Sequence, residues 1–365
     1  MLKMLRSLQW ITVGLTAVVG FHFGMETADA NEWRVISELP TQRTGFATAV
    51  VDGKIYLIGG TPFKNRRGPY GLPTVEVYDP KNNSWERVAD MPTPRTSAET
   101  AVVNGTIYVC GGYNGIDNRA VNLKFLDIVE AYDPQKDTWT RKQGMSGARV
   151  AFGMGAVAGK IYSIGGSVHP LDREPKAPGR IDLVEAYDPV TDTWVKRAKM
   201  PTRRSGVKAA VVRDALYAIG GGGWPQVGAG GPFLTVIEEY NPKINRWEKK
   251  NEMPDLRLSF STVVLDDVIY LIGGFTWQNR VPQYLSTVDT YNPETEEWNN
   301  IPPMPTPFMP FGAAVVDGNI YVFGGIGENR EHFASVMVFG KGFRAVTANG
   351  KLPVRWGALK AERQN

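Results

Sequence analysis

Five arginines recur at one fixed place in this sequence. Arg43, Arg95, Arg149, Arg204 and Arg257 each lie ten residues after a tryptophan: Trp33, Trp85, Trp139, Trp194 and Trp247. Guanidinium groups converging on one surface would favour an anionic ligand, since each presents a planar fork of donors to a carboxylate or phosphate. The same repetition fits arginines that only bond loop carbonyls or neighbouring carboxylates. Trp224 and Trp277 stand outside the repeated positions, in segments that also hold charged groups such as Arg280, with Arg330 further along. Aromatic rings placed this way suit sugar faces or peptide side chains, or pack against their own loops. These nine residues are the candidate ligand-binding set, and no catalytic residue is identified.

Other chemistry is limited by what the chain lacks. Its three histidines (His22, His169, His332) are far apart and Cys110 is its one cysteine, so a His/Cys metal site is nearly excluded and no intramolecular disulfide can form. Gly153-x-Gly155-x-x-Ala158 mimics a dinucleotide loop, but it falls on a strand and opens no helix. Gly159-Lys160 lacks the remainder of a phosphate loop, and no Gly-x-Ser-x-Gly occurs. Asn82-Asn83-Ser84 and Asn104-Gly105-Thr106 are glycosylation sequons, meaningful only in a eukaryotic secretory pathway. The net charge of +4 is spread without a long basic run, which argues against nucleic acid as a partner. No cofactor is expected.

The first thirty residues read as a leader. Lys3 and Arg6 precede an apolar stretch from Trp10 to Gly24, and Ala28-Asp29-Ala30 supplies the small-x-small pattern of a signal-peptidase site. The apolar stretch is shorter than the roughly 20 residues that span a bilayer. Cleavage after Ala30, a secreted or periplasmic location and no stable membrane anchor after cleavage are the expectations.

The elements that must position the arginines come from a repeat. Glycine doublets begin at Gly59, Gly111, Gly165, Gly220, Gly273 and Gly324, each 26 residues after a tryptophan of the series that ends in Trp298. The step from doublet to next tryptophan varies from 25 to 29 residues, so length changes are confined to one loop. Tyr78, Tyr132, Tyr187, Tyr240 and Tyr291 stand seven residues before the tryptophans, in Tyr-Asp-Pro or Tyr-Asn-Pro. Two residues before each tyrosine is an acid: Glu76, Glu130, Glu185, Glu238 and Asp289. Their repetition speaks for structure, because a catalytic acid need occur only once. Between arginine and doublet come two short apolar runs, such as Ala101-Val102-Val103 and Ile107-Tyr108-Val109. Each repeat therefore reads as four short antiparallel strands, with the Asx-Pro turn before the fourth. Runs apolar on both faces need cover on both sides, which blades stacked around an axis supply.

Doublet, Tyr-Asp-Pro, tryptophan and arginine at these spacings resemble the Kelch motif, over residues 31 to about 340. The resemblance implies an all-β fold: a six-bladed Kelch β-propeller with four antiparallel strands per blade. The chain opens on a spare tryptophan strand at Trp33 and ends on Ser335 to Phe339, where Phe339 takes the tyrosine place and no matching tryptophan follows. The N-terminal strand is thus expected to close the last blade and hide two sheet edges. The expected organisation is a signal peptide over 1–30, the propeller over 31–340 and a basic C-terminal tail over 341–365.

In Kelch proteins that bind acidic peptides, arginines of this motif position line the ligand face. Together with the leader, the resemblance implies an exported binding or scaffold protein whose loop face takes a protein, glycan or small anionic ligand, and a monomer is expected. The alternative is a periplasmic carbohydrate enzyme similar to the sialic acid mutarotases, with an arginine and Glu328 or His332 as clamp and acid/base pair. Galactose oxidase also has Kelch-type blades, but the histidines its copper chemistry needs are absent.

Overall fold

The computed structural model describes residues 32–63, 71–115, 123–168, 179–222, 233–279 and 281–340. Among them are six four-stranded antiparallel sheets and no α-helix. The leader (1–30) and the basic tail (341–365) lie outside the described residues.

Each repeat forms one blade. In the first, the inner strand Ala47–Val51 pairs with Lys54–Ile58, then Val75–Asp79, then the outer strand Ser84–Val88. The second strand is buried on both faces because a neighbouring blade covers each side: Ile55 and Leu57 face blade six, and Tyr56 and Ile58 face blade two. Inner strands meet their neighbours in cyclic order, and hydroxyls stitch some of them together. Thr48 Oγ1 donates to Ala313 O at 3.3 Å and Thr100 Oγ1 to Thr48 O at 2.5 Å. Thr48, Val50, Thr100 and Val102 stay partly exposed along the channel that this ring encloses.

The Asx-Pro turns form as the local chemistry directs. Asp79 Oδ1 accepts from the Lys81 amide at 2.9 Å, and Asp133, Asp188, Asn241 and Asn292 repeat the bond two residues on. The tryptophans hold successive blades together. The indoles of Trp139, Trp194 and Trp247 donate to Ala89 O, Gln143 O and Ala198 O of the preceding blade at 2.8–3.0 Å. The doublet glycines are sterically required: a Cβ on Gly59 (φ +70°) would sit 2.5 Å from the Arg95 carbonyl of the next blade.

The ring closes through the N-terminal strand, as the sequence implies. Trp33–Glu38 is the outer strand of the sixth blade, antiparallel to His332–Phe339, with Trp33 opposite Phe339. The two rings lie 5.2 Å apart, and Trp33 Nε1 donates to Pro302 O at 2.9 Å. Blade six then packs on blade one through Phe323 and Val336 against Tyr78 and Leu57.

Candidate functional site

All five motif arginines are inside the protein. Their exposure is between 0 and 2 %, and each side chain is committed to its own blade. Arg43 Nη2 donates to Glu76 Oε2 at 3.0 Å and to Leu57 O at 3.0 Å, while Nη1 donates to Thr74 O at 3.0 Å. Arg95 pairs with Glu130 at 2.6 Å, Arg149 with Glu185, Arg204 with Glu238 and Arg257 with Asp289. Burial pushes the Arg43, Arg149 and Arg257 guanidiniums down to about 10, so they stay charged at neutral pH. The expectation of an arginine ring open to an anionic ligand is therefore corrected. Arg43, Arg95, Arg149, Arg204 and Arg257 brace the loop that enters the inner strand, using the repeated acids as counterions. In the sixth blade both partners change together, to Phe308 and Met337, which share one apolar cluster.

The other candidates divide. Trp224 and Arg280 lie outside the described residues. Trp277 is 38 % exposed. It sits on a ribbon, Phe275–Gln278 paired with Val281–Tyr284, that extends from the loop joining the second and third strands of blade five. Phe275 supports it edge-on at 5.8 Å. Arg330 is exposed in the short turn Glu328–Arg330, just before the third strand of blade six. Beside that turn His332 packs on Phe63 of blade one at 4.1 Å, and loss of solvation lowers its imidazole pKa, favouring the neutral ring. The loop face thus presents Trp277 on one blade and the Phe63–His332 pair with Arg330 at the seam of blades six and one.

A further pair went unnoticed in the sequence. Opposite the residue just before each doublet stands the residue that opens the channel-lining segment: Ala47, Glu99, Gly153, Lys208, Ser261 and Gly312. Four are small and two are charged. Both Glu99 and Lys208 are half-buried at the loop-face end of the channel. Burial raises the Glu99 carboxyl above its ordinary range, with Lys208 opposing the shift. Aligning the repeats on the doublet and asking which copy departs from the others would have found them.

The remaining features carry less. A cavity of about 420 Å³ opens on the opposite face, between blades four and five. Its charges largely answer one another, Arg213 with Asp267 and Glu294, and Lys243 with Asp214. Cys110 is buried with its thiol pushed up to about 12, which removes it as a nucleophile. Among the described residues no group of three His, Cys, Asp or Glu side chains is placed to hold a metal.

Comparison with known proteins agrees with this geometry. The KLHDC2/KLHL20/DRC7 Kelch-repeats domain matches residues 19–166. The Kelch motif matches residues 148–201, 203–254 and 256–305. Kelch-like protein 35 of Mus musculus is 28% identical over 299 residues, covering 82% of this chain and 46% of that protein. Kelch-like protein 23 of Homo sapiens is 30% identical over 273 residues, or 74% of this chain and 43% of that protein. The chain therefore spans less than half the length of these curated relatives. The solved structure of YjhT superposes with a TM-score of 0.69 at 15% identity, covering 83% of this chain and 96% of that one, a likeness of fold.

Proposed function

The chain belongs to the Kelch-repeat family, and from that premise we propose that it is an exported binding protein that engages a partner protein through its loop face. The observation that carries this reading is the exposed indole of Trp277, held on a two-stranded ribbon outside every repeat position. The repeat tryptophans pack in the apolar clusters between blades, whereas Trp277 belongs to none of those clusters. Aromatic anchors on rigid supports are the side chains that most often dominate the energetics of protein interfaces. Variable loops on a fixed scaffold are where binding residues accumulate.

Export rests on the basic start, short apolar run and Ala28-Asp29-Ala30 of the leader. Trp33 already belongs to the sixth blade, so cleavage after Ala30 leaves the ring intact. The carbohydrate-enzyme alternative is weakened, because the motif arginines that would clamp an acidic sugar are committed to Glu76 and its counterparts.

A photo-crosslinking residue at position 277, with position 190 as control, tests the binding reading in the native secreted or periplasmic fraction. Val190 is 92 % exposed in the Asx-Pro turn of blade three, on the opposite face. One crosslinked species from position 277, competed away by unlabelled protein and missing from position 190, is expected. Equal labelling from both positions overturns the reading. A mature protein retaining Met1 overturns export.

A further inference from the structure

Glu99 and Lys208 begin the inner strands of blades two and four, Glu99–Val103 and Lys208–Val212. In blade three, which lies between them, the matching residue is Gly153, so no side chain from that position stands between the two charges. Neither side chain is hydrogen-bonded or ion-paired to another described residue, and their charged atoms are more than 4.0 Å apart. Lys208 is still near enough to favour the Glu99 carboxylate. Every other buried acid of the repeat has its arginine, as Glu130 has Arg95. These two charges depart from the repeat, are partly withdrawn from water and lack a partner among the described residues.

A half-buried charge without a counterion is costly, and sites of function are where such costs are retained. The chemistry of a fitting ligand follows from the two signs. A simple anion would gain Lys208 but meet repulsion from Glu99, and a simple amine would meet the reverse. A neutral sugar would leave both charges unanswered. A group carrying both signs answers both at once. We propose that the channel mouth between Glu99 and Lys208 binds a small zwitterion of the α-amino acid type, its ammonium group on Glu99 and its carboxylate on Lys208. This inference rests on reading the loop face as the binding face, and it names the chemistry recognised at the centre of that face.

Calorimetric titration of the mature chain tests it, with common α-amino acids each compared with its N-acetyl and amide derivative. At least one free amino acid should bind about tenfold more tightly than both of its blocked forms, the scale of one lost charged hydrogen bond. Glu99→Gln and Lys208→Met should each lose about the same factor while unfolding as cooperatively as the wild type. The proposal fails if the blocked forms bind as well as the free ones, if no amino acid binds, or if both variants bind like wild type. Crosslinking from position 277 is the independent arm. A partner captured there with no zwitterion bound sinks the channel-mouth proposal alone, while loss of both sinks the loop-face reading as well.

Discussion

Arg43 and Glu76 form an ion pair at 3.0 Å with the guanidinium closed to solvent and the carboxylate nearly so. The pair links the loop entering the inner strand to the third strand of the same blade. Four more blades repeat it, and the sixth puts Phe308 and Met337 in its place. The two solutions are physically comparable, since an apolar pair of similar volume can replace a buried ion pair without loss of stability. Half a pair has no such equivalence.

Truncating one partner should therefore be severe. Arg95→Ala leaves the buried Glu130 only the Thr93 hydroxyl and the more distant, solvent-facing Arg141, and is expected to cost about 3 kcal/mol in urea unfolding. The double variant Arg95→Phe with Glu130→Met copies the sixth blade and should recover most of that loss. If Arg95→Ala leaves the unfolding midpoint in place, the arginine is not a brace.

Closure of the ring should show the same dependence on one residue. Trp33→Ala removes the ring stacked on Phe339 and the bond to Pro302 O. Because the indole is only partly buried, a loss of about 3 kcal/mol is expected, at the low end for aromatic truncation. Deleting residues 32–38 should cost more, by baring the edge of His332–Phe339. Unchanged melting of the deletion variant would mean that the outer strand contributes nothing.

The architecture was legible because it is written six times. Glycine doublets, Asx-Pro turns and tryptophans fall at constant offsets, and the spare strand at Trp33 shows which edge needs closing. Burial of the arginines was less legible, because a side chain facing a ligand and one facing a carboxylate repeat with the same spacing. The sequence did hold a distinguishing signal in the joint loss of arginine and acid at Phe308 and Met337, since residues that vanish together are partners. Glu99 and Lys208 were overlooked for the opposite reason. A search tuned to what the repeats share passes over positions where one copy departs. Trp277 was noticed because it lies outside the repeat, but that its ring is exposed depends on the ribbon register with Pro282.

One blade is imperfect, and its repair is predictable. In the first four blades the tyrosine hydroxyl donates to an Asn or Asp five residues on, as Tyr187 does to Asp192 at 2.6 Å. In the fifth, Glu296 holds that place, and Tyr291 Oη is buried without a partner. Glu296 also has φ +57°, a conformation that Asp and Asn tolerate better. Glu296→Asp should let one carboxylate serve both the tyrosine and the Asn251 amide while keeping its charge near Lys250. A gain of about 1 kcal/mol, or roughly 2 °C in calorimetry, is expected. A melting temperature at or below wild type refutes this account.

Glu99 should leave a signature in the pH dependence of stability. Its carboxyl is raised above the ordinary 4.5 by burial, with Lys208 pulling the other way. A raised folded-state value means that the fold prefers the protonated carboxyl. The stability this group contributes is then fully present below the unfolded value and is lost as pH rises through the folded one. Near neutral pH the wild type carries a carboxylate that the fold disfavours, and Glu99→Gln removes it. The variant should therefore melt higher than wild type at about pH 7.5, and the difference should fade as the pH drops below about 4.5. Lys208→Met should act oppositely at neutral pH, because Glu99 loses the nearby positive charge that favours its ionised form. A core acid supporting the structure would behave in reverse, with Glu99→Gln destabilising most at neutral pH. That result would place Glu99 with the bracing acids such as Glu130 and remove the reason to read the channel mouth as a site. Thermal melts of wild type, Glu99→Gln and Lys208→Met across that pH range decide between the two.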